Sequence, residues 1–254
     1  MENTENTAGL PIPPEPPPPL PQPGKSAFER VIGIFFEPEA TFQDIARSPG
    51  FIVPLLLVMI CSAGTAAVMV NRIDMRDFIA KQLDKNPRTE SMPAAQKEQA
   101  IENGAKFGKI GFYVTPVFVP LMMLIIAGVL MVMANFVFGG TATFKQLFSV
   151  AAHAQMVGII FGLLIVVILF LKDPADVDLQ NPIASNLGLL ISAETSKFLH
   201  RFAISLDIFS LWQVYLLGTG AAICGRLSKA KGIMAIGIPW LVWVLIVSGL
   251  ATFQ

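Results

Sequence analysis

The stretch SLDIFSLWQVYLLGTGAAICGRLSKAKGIMAIGIPWLVW, from Ser205 to Trp243, decides the fold of this chain. It holds two apolar runs that a short basic turn joins. A helix rises about 1.5 Å per residue, so a run of about 20 apolar residues matches a hydrocarbon core roughly 30 Å thick. A helix also satisfies its own backbone hydrogen bonds where no water is available. The stretch therefore predicts two membrane-spanning helices that form a hairpin in a bilayer.

The composition of the whole chain agrees with a membrane protein. Of 254 residues, 54% are hydrophobic and 14% are charged, which is more apolar and less charged than ordinary soluble domains. Eighteen Lys and Arg balance eighteen Asp and Glu, so no basic excess indicates nucleic acid as a partner. We predict an all-α fold, a polytopic helical membrane bundle in contact with the lipid bilayer.

Hydropathy along the chain predicts five membrane-spanning helices within a membrane domain of residues 27–254. The spans cover residues 51–70, 112–138, 147–171, 203–224 and 233–253. Prolines stand near the starts of the first two spans, where a missing N–H group costs least. Residues 71–111 form the one long polar loop between spans. Five crossings place the two ends of this domain on opposite sides of the membrane.

Residues 1–26 are predicted to be a disordered, proline-rich tail. Nine of the thirteen residues from Pro11 to Pro23 are proline, which removes backbone donors and favours a solvated polyproline II chain. Such a tail serves as a tether, or it docks on an aromatic groove of SH3 or WW type.

Two further segments predict amphipathic helices that do not span. From Ala27 to Arg47 apolar residues recur at spacings of three and four, and Pro38 divides the segment into two short helices. We expect these helices to lie in the headgroup layer or to fold onto the protein itself. The segment from Ile183 to Phe202 carries too many charged side chains for a crossing, which predicts a re-entrant or interfacial helix.

Polar side chains inside the spans are candidates for a functional site, because polar groups in a bilayer are costly and mark pathways or partners. Six of them fall at helical spacings in the third and fourth spans: Gln146, Ser149, His153, Asp207, Ser210 and Gln213. If the two spans face each other, these groups would hold an ion or a solute. Alternatively, Asp207 caps a helix start, and His153 is a hydrogen-bonded packing residue.

The sequence carries no motif of a familiar catalytic chemistry. HExxH, GxSxG, a P-loop and GxGxxG are absent, and the chain has 2 His and 2 Cys, without the spacing of metal ligands. We therefore predict no enzyme activity, no catalytic residue, no metal ion and no cofactor.

Three segments together carry a resemblance to a known family. They are FFEPEATFQDIARSPGFIVPLLL at Phe35–Leu57, GGTATFKQLFSVAAHAQ at Gly139–Gln155 and LDIFSLWQVYLLGTGAAICGRLSK at Leu206–Lys229. In this order they resemble the Yip family of multi-pass membrane proteins, named for interaction with Ypt/Rab GTPases. The resemblance implies five crossings, a cytoplasmic N-terminus and an outward C-terminus. In eukaryotic relatives it also implies work in vesicle traffic, through GTPase binding and membrane shaping, but this sequence looks more like the bacterial members.

Positive charges alone do not lead to this orientation. The side that bears the N-terminus has seven Lys and Arg, and the other side has eleven, which opposes a cytoplasmic N-terminus. The short turn of residues 225–232 favours it, because Arg226, Lys229 and Lys231 stand there without an acid and short loops count most.

Three hypotheses of function follow. The most favoured is a non-enzymatic adaptor or organiser in the bacterial cell (inner) membrane, which presents the tail and the basic loop 225–232 to protein partners. The alternative is a small-solute or ion transporter with His153 and Asp207 as a relay. The third is a lipid-handling or membrane-shaping protein that works through the amphipathic segments. Gly218 and Ala222 form a small-residue face on which another helix of the bundle can pack closely, and such small-residue faces also suit a homo-oligomer.

Overall fold

The fold is helical throughout the part that the computed structural model describes, residues 24–84, 86, 89–174, 177–179, 181–191 and 196–253. These residues form ten α-helices and no β-strand. Five helices are long and apolar enough to cross a membrane: Ile52–Arg72, Ala94–Val137, Phe144–Leu171, Ile208–Gly225 and Lys229–Ala251. The predicted all-α membrane bundle with five spans is confirmed. The proline-rich part of the predicted tail lies outside the described residues.

Two short helices precede the first span. Helix α1 (Ala27–Phe36) begins with a capping box, in which Ser26 and Glu29 satisfy each other's backbone N–H groups. Helix α2 (Pro38–Arg47) has Pro38 in its first turn, where the missing N–H is not needed. The break at Pro38 that the sequence predicts is therefore observed.

The α1–α2 pair folds onto the bundle. Ile34, Phe42 and Ile45 are fully buried and belong to the main apolar core. Gly33 lets the two helices approach closely, because a Cβ atom there would lie 2.4 Å from Thr41 Oγ1. The inner face of this segment therefore packs against the protein, as one of the two alternatives predicts.

A helical hairpin joins the first two spans. Helix α3 (Ile52–Arg72) is the first span, and helix α4 (Met75–Asp84) then packs along the start of helix α5 (Ala94–Met131). Gly104 and Gly108 of α5 face Ile79 and Met75 so closely that an added Cβ would lie within 3 Å of them. Helix α5 continues into the second span and ends in a π-helical segment, Val132–Val137.

The third span consists of two helices in line. Helix α6 (Phe144–Ala154) begins with a second capping box, formed by Thr143 and Gln146, and helix α7 (Met156–Leu171) follows after Gln155. We call the side on which α3 and α6 begin the N-proximal side, and the opposite side the distal side.

The last two spans form the predicted hairpin. Helix α8 (Lys197–Ser205) is short, helix α9 (Ile208–Gly225) is the fourth span, and helix α10 (Lys229–Ala251) is the fifth. The backbones of α9 and α10 nearly touch, since a Cβ atom on Gly232 would lie 2.3 Å from the Gly218 carbonyl oxygen.

Helix α9 is the central helix of the bundle. It is the least apolar span, with a mean hydropathy of 1.4, and half of it is buried inside the protein, against 17–28% for the other four spans. Helices α2, α6 and α10 pack around it. At Gly220 an added Cβ would lie 2.4 Å from Val150 and 3.0 Å from Phe42, so α6 and α2 both lie directly on α9.

The distal end of α9 does not reach as far as the distal ends of its neighbours α7 and α10. Gln213 lies opposite Gln155, and Gly218 lies opposite Gly232. Counted from these pairs at 1.5 Å per residue, α7 and α10 extend about 13 to 16 Å beyond the start of α9. Helix α8 packs against α10. We call residues 181–191 together with α8 the distal cap.

The distal cap differs in detail from the sequence-based expectation. A helix was predicted from Ile183 to Phe202, and the fourth span was predicted to begin at residue 203. The structure instead has a short 3₁₀ turn, Leu187–Leu190, followed by α8. Asp207 ends this segment because it caps a new helix, so the fourth span begins at Ile208.

Candidate functional site

Two of the candidate polar residues on α6 bind the backbone near them. Gln146 completes the capping box with Thr143, and its Nε2 donates a hydrogen bond to the Ala46 carbonyl oxygen over 2.8 Å. Ser149 Oγ donates to the Lys145 carbonyl oxygen over 2.8 Å. Gln146 therefore joins α6 to α2, whereas Ser149 forms its hydrogen bond within α6.

His153 is almost completely buried, with 1% of its surface exposed. Its Nδ1 lies 2.8 Å from the Ser149 carbonyl oxygen. A carbonyl oxygen only accepts, so Nδ1 carries the proton and donates this bond. Nε2 then presents a lone pair, and it has no hydrogen-bond partner among the described residues.

Asp207 is the N-cap of α9. Its Oδ1 accepts hydrogen bonds from the backbone N–H groups of Phe209 (2.9 Å) and Ser210 (3.1 Å). Ser210 Oγ donates to the other carboxylate oxygen, Oδ2. Asp207 and Ser210 therefore act together at the start of the helix, as the capping alternative predicts.

Gln213 has a partner that sequence reasoning did not single out. Its Nε2 donates a hydrogen bond to Gln155 Oε1 over 2.7 Å. Gln155 stands at the break between α6 and α7, directly before the uninterrupted apolar run Met156–Leu171. A strongly polar side chain at this depth of a span is the signal from which its role could have been inferred.

The six candidate residues do not form one site. The Thr141 N–H donates to the Gly225 carbonyl oxygen over 3.1 Å, so α6 starts where α9 ends and the two helices are antiparallel. Gln146 and Asp207 then lie on opposite sides of the Gln155–Gln213 pair, about 22 Å apart along the helix axes. The structure groups the candidates by helix and separates the two groups along the bundle.

A polar pocket of about 210 Å³ lies at the start of α9, between α7 and the distal cap. The Ile208 N–H donates to the Ser185 carbonyl oxygen over 3.2 Å, which holds the cap against the helix. Six polar residues line this distal polar pocket: Asn181, Ser185, Asn186, Arg201, Ser205 and Asp207. Candidate residue Asp207 therefore borders an open space.

A second space of about 290 Å³ lies between α3, α5 and α7. Its lining is mostly apolar, and we call it the intramembrane cavity because three spans form its walls. Gln155, Thr65 and Thr115 are among the few polar residues that line it. Phe161 of α7 lines both this cavity and the distal polar pocket.

The N-proximal surface carries the basic turn between α9 and α10. Arg226 is exposed and adopts a left-handed backbone conformation (φ 55°) at the end of α9. Lys229 Nζ lies 2.6 Å from a carboxylate oxygen of Glu39 and 3.2 Å from the Tyr215 hydroxyl. Lys229 therefore binds Glu39 of α2, whereas Arg226 and Lys231 are exposed at the surface without such a described ion pair.

The described residues contain no cluster of three or more His, Cys, Asp or Glu side chains that would hold a metal ion. A family model for the Yip1 domain matches residues 32–251. The chain belongs to the Yip1 domain family. The match runs from α1 to the end of α10, so the Yip1 domain of this chain includes all five spans, and the resemblance expected from the sequence is confirmed.

A curated relative supports the same assignment. This Yip1-domain chain is 25% identical over 202 residues to a protein of Bacillus subtilis (strain 168) described as membrane protein YknW, and the match covers 80% of this chain and 81% of the relative. No solved structure matches. The chain is therefore a multi-pass integral membrane protein of the Yip1 family.

Proposed function

We propose that this Yip1-domain protein is a non-enzymatic membrane adaptor or organiser, and that its partners bind the N-proximal surface. The observation that carries the proposal is the way the tail is attached. The Lys25 N–H donates to Asp44 Oδ1 over 3.2 Å, and Lys25 Nζ lies 2.9 Å from a Glu37 carboxylate oxygen. Lys25, which follows the proline-rich segment in the chain, is therefore held in place by α2 and its N-cap residue Glu37.

Lys25, at the end of the tail, and the basic turn belong to one surface. Glu39 of α2 binds Lys229 at the start of α10, and Glu37, which binds Lys25, is two residues earlier in the chain. Arg226 and Lys231 stand exposed beside this link. A partner that binds the proline-rich segment through an aromatic groove and carries acidic side chains would contact the tail and the basic turn together.

We propose a bacterial inner-membrane location with the N-terminus in the cytoplasm. Support comes from the family resemblance and from the short, acid-free basic turn on the N-proximal side. The test is labelling of single cysteines in intact cells with a membrane-impermeant maleimide, in a background without Cys61 and Cys224. Labelling at residue 90 on the distal side and not at residue 228 would support the orientation, and the reverse pattern would overturn it.

The adaptor proposal is tested by removing Met1 to Gly24. We expect the shortened protein to insert and purify as before, and to lose partners that co-purify with the full chain. A matched variant, Arg226→Gln with Lys231→Gln, keeps the tail and removes the two exposed charges of the basic turn. Unchanged co-purification in both variants would show that partners do not bind this surface.

The second candidate, transport of a small solute or ion, has a specific observation in its favour. His153 Nε2 is buried without a partner in the described residues, and Asp207 borders the distal polar pocket. The Gln155–Gln213 pair lies between these two residues along the bundle, as an intermediate polar group of a relay. In liposomes, Asp207→Asn and His153→Ala should abolish any flux that the wild type supports, and unchanged flux would exclude the relay.

The third candidate, a lipid-handling or membrane-shaping role, is supported by the outer face of α1. Phe28 and Phe36 are 70% and 81% exposed, and Ile32 between them is 44% exposed. These residues are four apart and form an apolar row that faces away from the bundle, as in helices that lie in the headgroup layer. The test is whether vesicles change curvature with the wild type and not with Phe28→Ser combined with Phe36→Ser.

Self-association is also part of the proposal, through a face other than that of Gly218 and Ala222. An added Cβ on Gly232 of α10 would lie 2.5 Å from Ala222 Cβ and 2.3 Å from the Gly218 carbonyl oxygen. The small-residue face of α9 is therefore already covered within one chain. We infer that a homo-oligomer would use one of the spans whose apolar side chains remain exposed.

A further inference from the structure

Two spaces in the distal half of the molecule share one wall. The distal polar pocket and the intramembrane cavity are both lined by Phe161. The Phe161 ring packs edge-on against Phe209 of α9, with the ring centroids 5.4 Å apart. A polar space and an apolar space therefore adjoin at a single aromatic side chain.

Two charged side chains line the distal polar pocket, those of Asp207 and Arg201. The Asp207 carboxylate already accepts three hydrogen bonds at the start of α9. Among the residues that the structure describes, none forms an ion pair or a hydrogen bond with the Arg201 guanidinium. Ser185 Oγ, which also belongs to the lining, is buried and likewise has no described partner.

These groups suit an oxyanion. A guanidinium presents a planar fork of N–H donors that matches a phosphate, and charge-assisted bonds of this kind are among the strongest hydrogen bonds in proteins. The Asn181 side-chain amide adds N–H donors around the same space. The pocket is therefore complementary to a phosphate group.

The position of the pocket favours a phosphate that belongs to a lipid. The start of α9 lies about 13 to 16 Å inside the ends of α7 and α10, so the pocket opens within the depth of the spans. A charge at this depth is costly unless a partner neutralises it. The phosphate of a lipid whose acyl chains lie among the spans would supply that partner.

The intramembrane cavity suits the apolar part of the same molecule. Ser62 and Thr115 line it, but their hydroxyls donate to the carbonyl oxygens of Met59 (3.0 Å) and Gly111 (2.8 Å) on their own helices. The surface offered to an occupant is therefore almost entirely apolar. Its volume of about 290 Å³ is close to the lower end of small-molecule sites, roughly 300 to 1,000 Å³.

We propose that the protein binds one phospholipid, with the phosphate at Arg201 in the distal polar pocket and an acyl chain in the intramembrane cavity beyond Phe161. This site goes beyond the adaptor proposal and does not depend on it. It lies on the side of the molecule opposite the tail, so loss of one function leaves the other intact.

The test uses the full-length protein in mild detergent. The thermal unfolding midpoint is measured with phosphatidylglycerol, with inorganic phosphate and with uncharged diacylglycerol. We expect phosphatidylglycerol to raise the midpoint by about 3 °C or more, because it binds only the folded state. A shift of the same size with inorganic phosphate would show a site for small anions and overturn the lipid assignment. A shift of the same size with diacylglycerol would overturn the role of the phosphate.

Variants separate the two halves of the site. Arg201→Gln should lower the phospholipid retained per chain, measured by mass spectrometry, by about tenfold, the usual effect of losing a charged hydrogen bond. Lys197→Gln, one turn earlier on α8 and exposed, removes the same charge outside the pocket and should retain the lipid. Equal retention in Arg201→Gln and Lys197→Gln would overturn the headgroup assignment.

A second pair of matched variants tests the apolar half of the lipid site, the intramembrane cavity. Thr115→Phe fills the intramembrane cavity and should lower lipid retention, whereas Val114→Phe adds the same bulk at a neighbouring residue that does not line it. Equal retention in both would overturn the acyl-chain assignment. The comparison of ligands on the wild type decides the proposal even if one of the variants fails to fold.

Discussion

Gln155 and Gln213 bind each other across the third and fourth spans, with Gln213 Nε2 donating to Gln155 Oε1 over 2.7 Å. The pair lies where α6 ends and α7 begins, against the central helix α9. Hydrogen bonds between side chains in a membrane join helices because lipid offers no alternative partner. The pair therefore fixes the register between the third span and the centre of the bundle.

Replacing Gln213 by Leu should destabilise the protein by about 1 kcal/mol, because interhelical hydrogen bonds in membranes contribute about 0.6 to 1.7 kcal/mol. The measurement is unfolding in mixed micelles, compared with Gln155→Leu and with the double variant. We expect the double variant to lose less stability than the sum of the two single variants. Strict additivity would mean that the two side chains do not interact.

Replacing Gly232 by Ala should weaken the α9–α10 hairpin, since the new Cβ would lie 2.3 Å from the Gly218 carbonyl oxygen. Overpacking of this kind costs about 1 to 3 kcal/mol. The matched control is Gly237→Ala on the same helix, where nothing lies within 4 Å of an added Cβ. The control should be as stable as the wild type or slightly more stable, because Ala favours helix over Gly. Equal stability of the two variants would contradict the close approach of α9 and α10.

Replacing Arg30 by Gln should release α1 from α2. Arg30 Nε lies 2.6 Å from Asp44 Oδ2, and the two side chains are only 11% and 13% exposed. Removing one partner of a buried ion pair costs about 3 kcal/mol or more, because the other charge stays buried. Hydrogen exchange of α1 and α2 amides should therefore become faster.

The control for Arg30 is Arg76→Gln in the α4–α5 hairpin. Arg76 binds Glu98 and Glu102, and their hydrogen bonds raise its pKa, but all three side chains are more than half exposed. Exposed ion pairs contribute little to stability, so this variant should exchange at the wild-type rate throughout the bundle. Faster exchange of α1 in the control would mean that the effect of Arg30→Gln is not local.

The start of α1 should loosen in acid. The hydrogen bond from the Ser26 backbone N–H holds the pKa of Glu29 below its ordinary value of 4.5. The stabilising contact is therefore fully present above the ordinary pKa and is lost as the pH falls through the lower pKa of the folded state. The protection of the first-turn amides of α1, which is the intrinsic exchange rate at the same pH relative to their observed rate, should therefore decrease over that range in the wild type. In Glu29→Gln the same amides should show no such pH dependence, and an unchanged pH dependence would assign it to another group.

The features that the sequence predicts correctly are those set by local contacts. Five apolar runs indicate five spans because a bilayer requires each helix to satisfy its own backbone. The break at Pro38 follows from the missing N–H of one residue. The capping role of Asp207 was also one of the alternatives that the sequence suggested, because an N-cap residue binds the N–H groups two and three residues later in the chain.

The candidate site shows where such reasoning stops. Gln146, Ser149 and His153 were correctly placed along one helix, because i, i+3 and i+4 spacing determines which side chains share a face. Whether these residues approach Asp207 depends on the register between α6 and α9. That register depends on the Gln155–Gln213 pair and on the distance at which Gly220 meets Val150, and no local pattern contains it.

By itself, then, the sequence determined the class of the molecule: a five-span helical membrane protein with two short amphipathic helices before its first span, because hydropathy and helix breaks are properties of neighbouring residues. Only the tertiary structure decided that α9 is central, that α1 and α2 fold onto it, and that Arg201 and Asp207 meet around a pocket next to an apolar cavity. These relationships join residues far apart in the chain, and they arise from how closely whole helices pack.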